Sequence, residues 1–350
     1  MDDNGRENEG DLILAAVHCT SQKMAFIIRH TSGIVCAAMQ HKEAKRLHLP
    51  LMVSENDSFH STAFTITVDY RHGTTTGISA HDRTLTVRNL ANPEAEPTDF
   101  VRPGHIFPLI AREGGLLSRS GHTEAAVDLC RIAKLPPVGV LCELLNDDGT
   151  IMRGYQLIKF IKQHHLYQTS VADLITYRQE KETLLHHLAT IQKKTAIGNV
   201  RVHRYQLPWE QIQHLAIVIG DISDGENIPV YLSYEDVLSD VFGKTCEPER
   251  VLKKLKEKYK RGVLVYLRYG LIEIKNKSVS QNMTCTNKNQ KNQEKHTEAI
   301  IREKKWCKIG LGAQILKHLG LHSILLLLSK EQQYIKFEEF GIYITRIERI

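Results

Sequence analysis

The chain has 350 residues, of which 42% are hydrophobic and 25% charged, with a formal net charge of +6. That length exceeds what one hydrophobic core usually organises, so two domains are expected, and the composition excludes a wholly disordered chain. The longest purely aliphatic run, Ile324 to Leu328, is far short of the roughly 20 residues that cross a bilayer, and the first residues are acidic where a secretory signal is basic and then apolar, so membrane and secreted classes are excluded and a cytoplasmic protein is expected.

In chain order, the first feature is RENEGD at residues 6 to 11, where Glu7, Glu9 and Asp11 crowd together with Arg6. Such a cluster is easily solvated and expensive to bury. From Asp11 to about Tyr177, β-branched runs (Phe64 to Val68, TLTVRNL, VGVLCELL) alternate with helical stretches (TEAAVDLCRIAKL, QLIKFIKQHHL), which predicts an α/β domain. Between them, SRSGHTEAAVDLC at 118 to 130 leads Arg119, Ser120, Gly121, His122 and Thr123 into a helix, so donors converge on a positive helix terminus and an anion site is expected. Thr123 also suits a plain N-cap. Next, CELLNDDGT ends a strand at Glu143 and turns through Asp147, Asp148 and Gly149; the two aspartates suit a solvated turn, whereas a carboxylate at the end of a buried strand needs a partner or a task.

The spacing of Leu184, Leu185, Leu188 and Ile191 predicts a connecting helix over 181–199. Strand-like HLAIVIGDI, NIPVYLSY and GVLVYLRYGLIEIK follow, then a polar loop at 275–297, then the helical GAQILKHLGL. Residues 275 to 308 hold nine basic and three acidic residues, which is the entire net charge. With no aromatic residue interleaved in the polar core of that segment, it reads as a solvated loop and not as a nucleic-acid arm. The seven cysteines, Cys19, Cys36, Cys130, Cys142, Cys246, Cys285 and Cys307, form no C-x-x-C pair and fit a reducing compartment.

RENEGD, HTSGIVC, TAFTITVD, GTTTGISAHDRTLTVR, RPGHIFPL, AREGGLLSRSGHTEAAVDL and GVLCELLNDDGT, in that order, resemble 3,4-dihydroxy-2-butanone 4-phosphate synthase over residues 1 to about 180. The resemblance implies a lyase of riboflavin biosynthesis that converts ribulose 5-phosphate to the four-carbon phosphate and formate with a divalent cation, Mg2+ or Mn2+. It implies Glu7 and His122 as metal ligands, with Arg6, Glu7, Asp11, Arg119, Ser120, Gly121, His122, Thr123 and Glu143 around the substrate, and Asp11 and Glu143 as proton carriers beside His122. Thr75, Thr76, Asp82 and Arg83 lie in a matching stretch expected to line the site, and Glu9 is expected to make a structural hydrogen bond. Family members carry a helix and a strand before RENEGD, whereas this sequence opens at Met1 inside that loop, so either a start further upstream or an impaired site is expected. A homodimer is implied as well.

From about Val200 the chain resembles GTP cyclohydrolase II, through VRVHRYQLPWEQIQHLAIVIGDI, SDVFGK, RGVLVYLR and IGLGAQILKHLGL, which implies an α+β second domain over 200–350. The chemistry of that family is missing. Its three zinc-binding cysteines reduce to Cys246, its glutamate- and arginine-rich turn reads YGLIEI, its D-x-R reads Lys305 and Cys307, and its T-N-N reads Leu328, Ser329, Lys330. A lone thiolate does not make a zinc site, so no zinc and no cyclohydrolase activity are expected. The alternative function is a non-catalytic partner of other riboflavin biosynthesis enzymes.

Overall fold

The structure is a computed structural model that describes residues 1, 9–58, 61–195, 197–235, 247–268, 310–329 and 337–350. It divides into two units, Met1–Ile175 and Thr176–Ile350. Among the described residues no helix is long and apolar enough to cross a membrane.

The first unit runs β1 (Asp11–Ala15), α1 (Ser21–His30), β2 (Cys36–Gln40), α2 (His41–Arg46), β3 (Ala63–Phe64), β4 (Val68–Tyr70), α3 (Ala80–Leu90), β5 (Phe100–Ala111), α4 (His122–Ile132), β6 (Val138–Glu143) and α5 (Gly154–Gln163), and α6 (Val171–Lys181) crosses the division. Its mixed sheet has the order β1-β6-β2-β5-β3, with β4 also on β5. Among its described residues only β2 and β5 pair in parallel. The apolar run VGVLC makes β6 a central strand buried on both faces. Its side chains alternate between two cores: Val140 and Cys142 pack with Met24 of α1 and Val87 of α3, while Leu141 packs with Ala126 and Val127 of α4. α4 thus covers one face of the sheet and α1 with α3 the other.

TLTVRNL, expected as a strand, lies inside α3. Ser79 caps that helix by accepting from Asp82 N at 3.1 Å. The hydroxyls of Thr84 and Thr86 donate back to the carbonyls of Ala80 (2.7 Å) and Asp82 (3.0 Å), so two buried threonines are satisfied without a sheet. Local bonding overrides β-propensity here.

The second unit contains β7 (His186–Thr195), β8 (Gly198–Gln206), β9 (Gln213–Ile219), β10 (Ile228–Tyr234), α7 (Glu247–Lys254), β11 (Gly262–Leu267), a helix over 310–318, β12 (Ser323–Leu328) and β13 (Tyr343–Arg349). The strand order is β13-β12-β10-β11-β9-β8-β7. The connecting helix expected over 181–199 is therefore corrected: α6 ends at Lys181, and His186 to Thr195 pair antiparallel with β8. The leucine and isoleucine spacing suits a helix, but the VRVHRY partner strand supplies a ladder for the backbone. Gln314, within GAQILKHLGL, closes the end of α6: its Nε2 donates to the carbonyls of Gln179 and Glu182 at 2.8 Å, and its Oε1 accepts from Leu184 N at 2.9 Å. The Gln179 carbonyl is one of those that a helix end leaves unpaired. The polar loop at 275–297 and Cys246, Cys285, Lys305, Cys307 and Lys330 lie outside the described residues.

Asp82 ties the TTTG loop to α3. It is 1% exposed, and its carboxylate accepts from Thr75 Oγ1 at 2.8 Å and Gly77 N at 3.0 Å. Burial pushes its pKa up, but the Thr75 hydroxyl and the N–H groups of Gly77 and Thr75 outweigh burial and hold it below the usual carboxylate value. Because the folded value is the lower one, this contribution to stability is complete above the unfolded carboxylate range and is lost as pH falls through the folded value. Asp82→Ala should lower stability at neutral pH by roughly 1–3 kcal/mol, and urea melts of the two proteins should converge as pH drops below about 4.

Candidate active site

The site is assembled where β1 begins and α4 begins. Gly10 precedes β1 and packs against α5, where a Cβ would stand 2.8 Å from Leu157 Cδ2. Its carbonyl accepts from Leu144 N at 2.9 Å, so the end of the acidic stretch is anchored to both α5 and the segment after β6. Asp11 then opens β1 directly opposite Glu143, the last residue of β6. The Asp11 side chain is 4% exposed and that of His122 is 7% exposed, and His122 Nδ1 stands 3.4 Å from Asp11 Oδ1. Glu9, 8% exposed, is the third member: donor atoms of Glu9, Asp11 and His122 all lie within 4.8 Å of one another. Glu9 and Asp11 of RENEGD are thus not merely a solvated terminus.

Two carboxylates and an imidazole are the hard, oxygen-rich donor set that magnesium or manganese takes. Ligands of an octahedral magnesium, at about 2.0–2.1 Å from the ion, lie within about 4 Å of one another, so side-chain movements of about 1 Å would close this group on one ion. Thiols do not compete. Burial pushes the Cys36 thiol far up, and Cys142, Asp11 and Glu143 nearby push it further, while Cys142 is raised chiefly by burial. Both stay protonated and unsuited to ligation.

The other expected site residues fall in distinct places. Gly121 is the N-cap of α4 and makes no side-chain cap, and Thr123 lies buried within the first turn, so the reading of Thr123 as the cap is corrected. Ser120 is half-buried and Glu143 exposed. Arg119 donates through Nη1 to Glu124 Oε2 at 2.6 Å and through Nη2 to Thr62 Oγ1 at 3.0 Å. Thr75 and Asp82 bond each other, and Arg83 is buried, donating to the carbonyls of Ile78 and Gly33 at 2.9 Å. Arg6 and Glu7 lie outside the described residues. Asp147 and Asp148 behave as turn residues, with Asp148 accepting from Thr150 N at 2.9 Å. Sequence reasoning gave Glu9 no part in the site, although its spacing of two from Asp11 puts both on one side of an extended chain. It also passed over Asp69 and His105, joined at 2.7 Å through His105 Nδ1.

Residues 1–177 match the 3,4-dihydroxy-2-butanone 4-phosphate synthase family and residues 168–349 match the GTP cyclohydrolase II family. The chain belongs to the family that fuses these two domains. It is 42% identical over 99% of its length to the bifunctional riboflavin biosynthesis protein RIBA 1 of Arabidopsis thaliana, and it spans 65% of that relative's length. A second Arabidopsis thaliana relative, described as the monofunctional riboflavin biosynthesis protein RIBA 2, is 40% identical over 99% of this chain and 72% of its own length. Among solved structures, the two-domain synthase RibBX of A. baumannii superposes with a TM-score of 0.75 at 32% identity, covering 99% of this chain and 94% of that one. A 3,4-dihydroxy-2-butanone 4-phosphate synthase in complex with two magnesium ions matches at a TM-score of 0.50 and 43% identity, covering 52% of this chain and 89% of that one. The α/β first unit and α+β second unit expected from the sequence agree with the match to the two-domain synthase.

Manganese titration followed by electron paramagnetic resonance checks the donor set. The wild-type chain should take up the ion, and His122→Ala and Asp11→Asn should each weaken uptake at least tenfold with little change in melting temperature. Unchanged uptake in both variants would contradict the assignment.

Proposed function

We propose that the chain is a 3,4-dihydroxy-2-butanone 4-phosphate synthase that acts on D-ribulose 5-phosphate and releases formate. The observation that carries this reading is the approach of Asp11 to His122 at 3.4 Å, with Glu9 alongside, at the start of α4. Ribulose 5-phosphate offers a phosphate dianion at one end and a ketone flanked by hydroxyls at the other. Its enolisation needs carboxylates that take up and return protons, and Asp11 and Glu143, paired across β1 and β6, fill that role. The bound cation would supply charge stabilisation for the sugar oxygens, held by Glu7 and His122, with Glu9 and Asp11 near enough to share it. Arg119, Ser120, Gly121 and Thr123 bind and orient the substrate from the loop into α4, and Arg6 joins them from the acidic stretch. The cation is Mg2+ or Mn2+; the working protein is a homodimer, the commonest closed assembly.

The second unit, in this reading, has no cyclohydrolase activity and holds no cysteine-bound zinc. The four sequence departures support this. At one of those departures Ser329 is engaged in packing, accepting from Tyr231 Oη at 3.1 Å.

With magnesium present, the full chain should release formate from ribulose 5-phosphate and none from GTP. Glu143→Gln and Asp11→Asn should each reduce the synthase rate at least a hundredfold, and EDTA should abolish it. A chain that releases formate from GTP but not from the sugar phosphate would reverse both halves of the proposal.

A further inference from the structure

Two acids outside the acidic stretch, Glu124 and Asp128 of α4, are each 1% exposed. They stand one helical turn apart on the same face. Carboxylates buried this deeply need partners, and the loop between β5 and α4 supplies them. Arg112 N donates to Glu124 Oε1 at 2.9 Å, Leu116 N donates to Asp128 Oδ2 at 2.8 Å, and Arg119 Nη1 donates to Glu124 Oε2 at 2.6 Å. The other arm of the Arg119 guanidinium donates to Thr62 Oγ1 at 3.0 Å. One carboxylate therefore fixes both the backbone where the loop begins and the cation near its end.

This clamp accounts for a residue that helix energetics leave unexplained. A serine or aspartate at the N-cap would satisfy a free N–H of the first turn better than glycine does. Gly121 occupies that position with φ −108°, a conformation open to any residue, and caps nothing. A Cβ there would stand 2.3 Å from Arg119 Nη1 and 2.6 Å from Glu124 Oε2. The space a side chain would fill is taken by the ion pair.

We infer that Glu124 is a positioning residue, holding the Arg119 guanidinium in one direction before any ligand arrives, and that residue 121 is glycine to let the pair pass. The inference rests on the proposed role of Arg119 as a substrate contact. A flexible arginine samples many rotamers, and a buried, short, charge-assisted partner restricts them. Because the pair is locally neutral, Arg119 contributes directed N–H groups more than net charge, and the charge facing a phosphate comes from the α4 terminus.

Glu124→Gln in the full chain tests this through a readout that loss of packing alone would not move. KM for ribulose 5-phosphate should rise at least tenfold while kcat stays within threefold, Glu124→Asp should recover part of the loss, and in an Arg119→Ala background Glu124→Gln should change KM less than twofold. Unchanged KM, or fully additive losses in the double variant, would overturn the inference. Should Glu124→Gln fail to fold, Gly121→Ser should reproduce the rise in KM by displacing Arg119, and a normal KM in that variant would also overturn it. Independently of turnover, the Arg119 Nε–Hε resonance, identified by its loss in Arg119→Lys, should be sharp and slowly exchanging in the wild type and averaged in Glu124→Gln. A mobile Arg119 in the wild type overturns the clamp; a rigid one in a chain that releases no formate supports the clamp and overturns the synthase reading instead.

Discussion

Five residues of β1 held in antiparallel register along β6 carry Glu9 and Asp11 to the face where α4 begins, and the geometry of the site depends on that ladder. A slip of one residue would turn every β1 side chain to the opposite face. Asp11 would then leave His122 and point into the core shared by Val140 and Cys142. The register is fixed at several points beyond the ladder: Gly10 lies against Leu157, its carbonyl accepts from Leu144 N, and β6 is buried on both faces. An acidic strand end is expensive to bury, and this framework holds it in place with an imidazole opposite.

The start of α4 is the second fixed element. Its first residue is the imidazole of the site, and its buried acids bind the loop that delivers that residue. Charge is thus distributed by depth: Glu124 and Asp128 are consumed by backbone N–H groups and by arginines, while Asp11, Glu9 and His122 face one another. Buried acids with fixed hydrogen-bond partners rigidify, and acids grouped around an imidazole are where a cation and proton traffic belong.

Much of this was legible in the sequence. RENEGD and SRSGHTEAAVDL pointed to a candidate site through their resemblance to the synthase family, while the residues alone left a solvated terminus and a plain N-cap open. The apolar run VGVLC identifies a buried strand. What stayed hidden were choices made by tertiary partners. TLTVRNL looks like a strand until Thr84 and Thr86 are seen bonding within a helix, and the stretch after α6 looks helical until β8 lies beside it. Glu124 and Asp128 drew no reading from the sequence, because burial and backbone partners twelve residues away leave no periodic signal. In the second unit, Gln314 closes the end of α6 by hydrogen bonds alone and needs no ligand to be useful.

The central claim, that the acids at the entry to β1 and the imidazole at the start of α4 form one cation-binding reaction centre, is tested most directly by diffraction from crystals grown with Mn2+ and collected at the manganese edge. The account predicts an anomalous peak within coordination distance of His122 and the Glu7 to Asp11 stretch. Manganese ordered elsewhere on the chain, with His122 and Asp11 left without an ion, would contradict it.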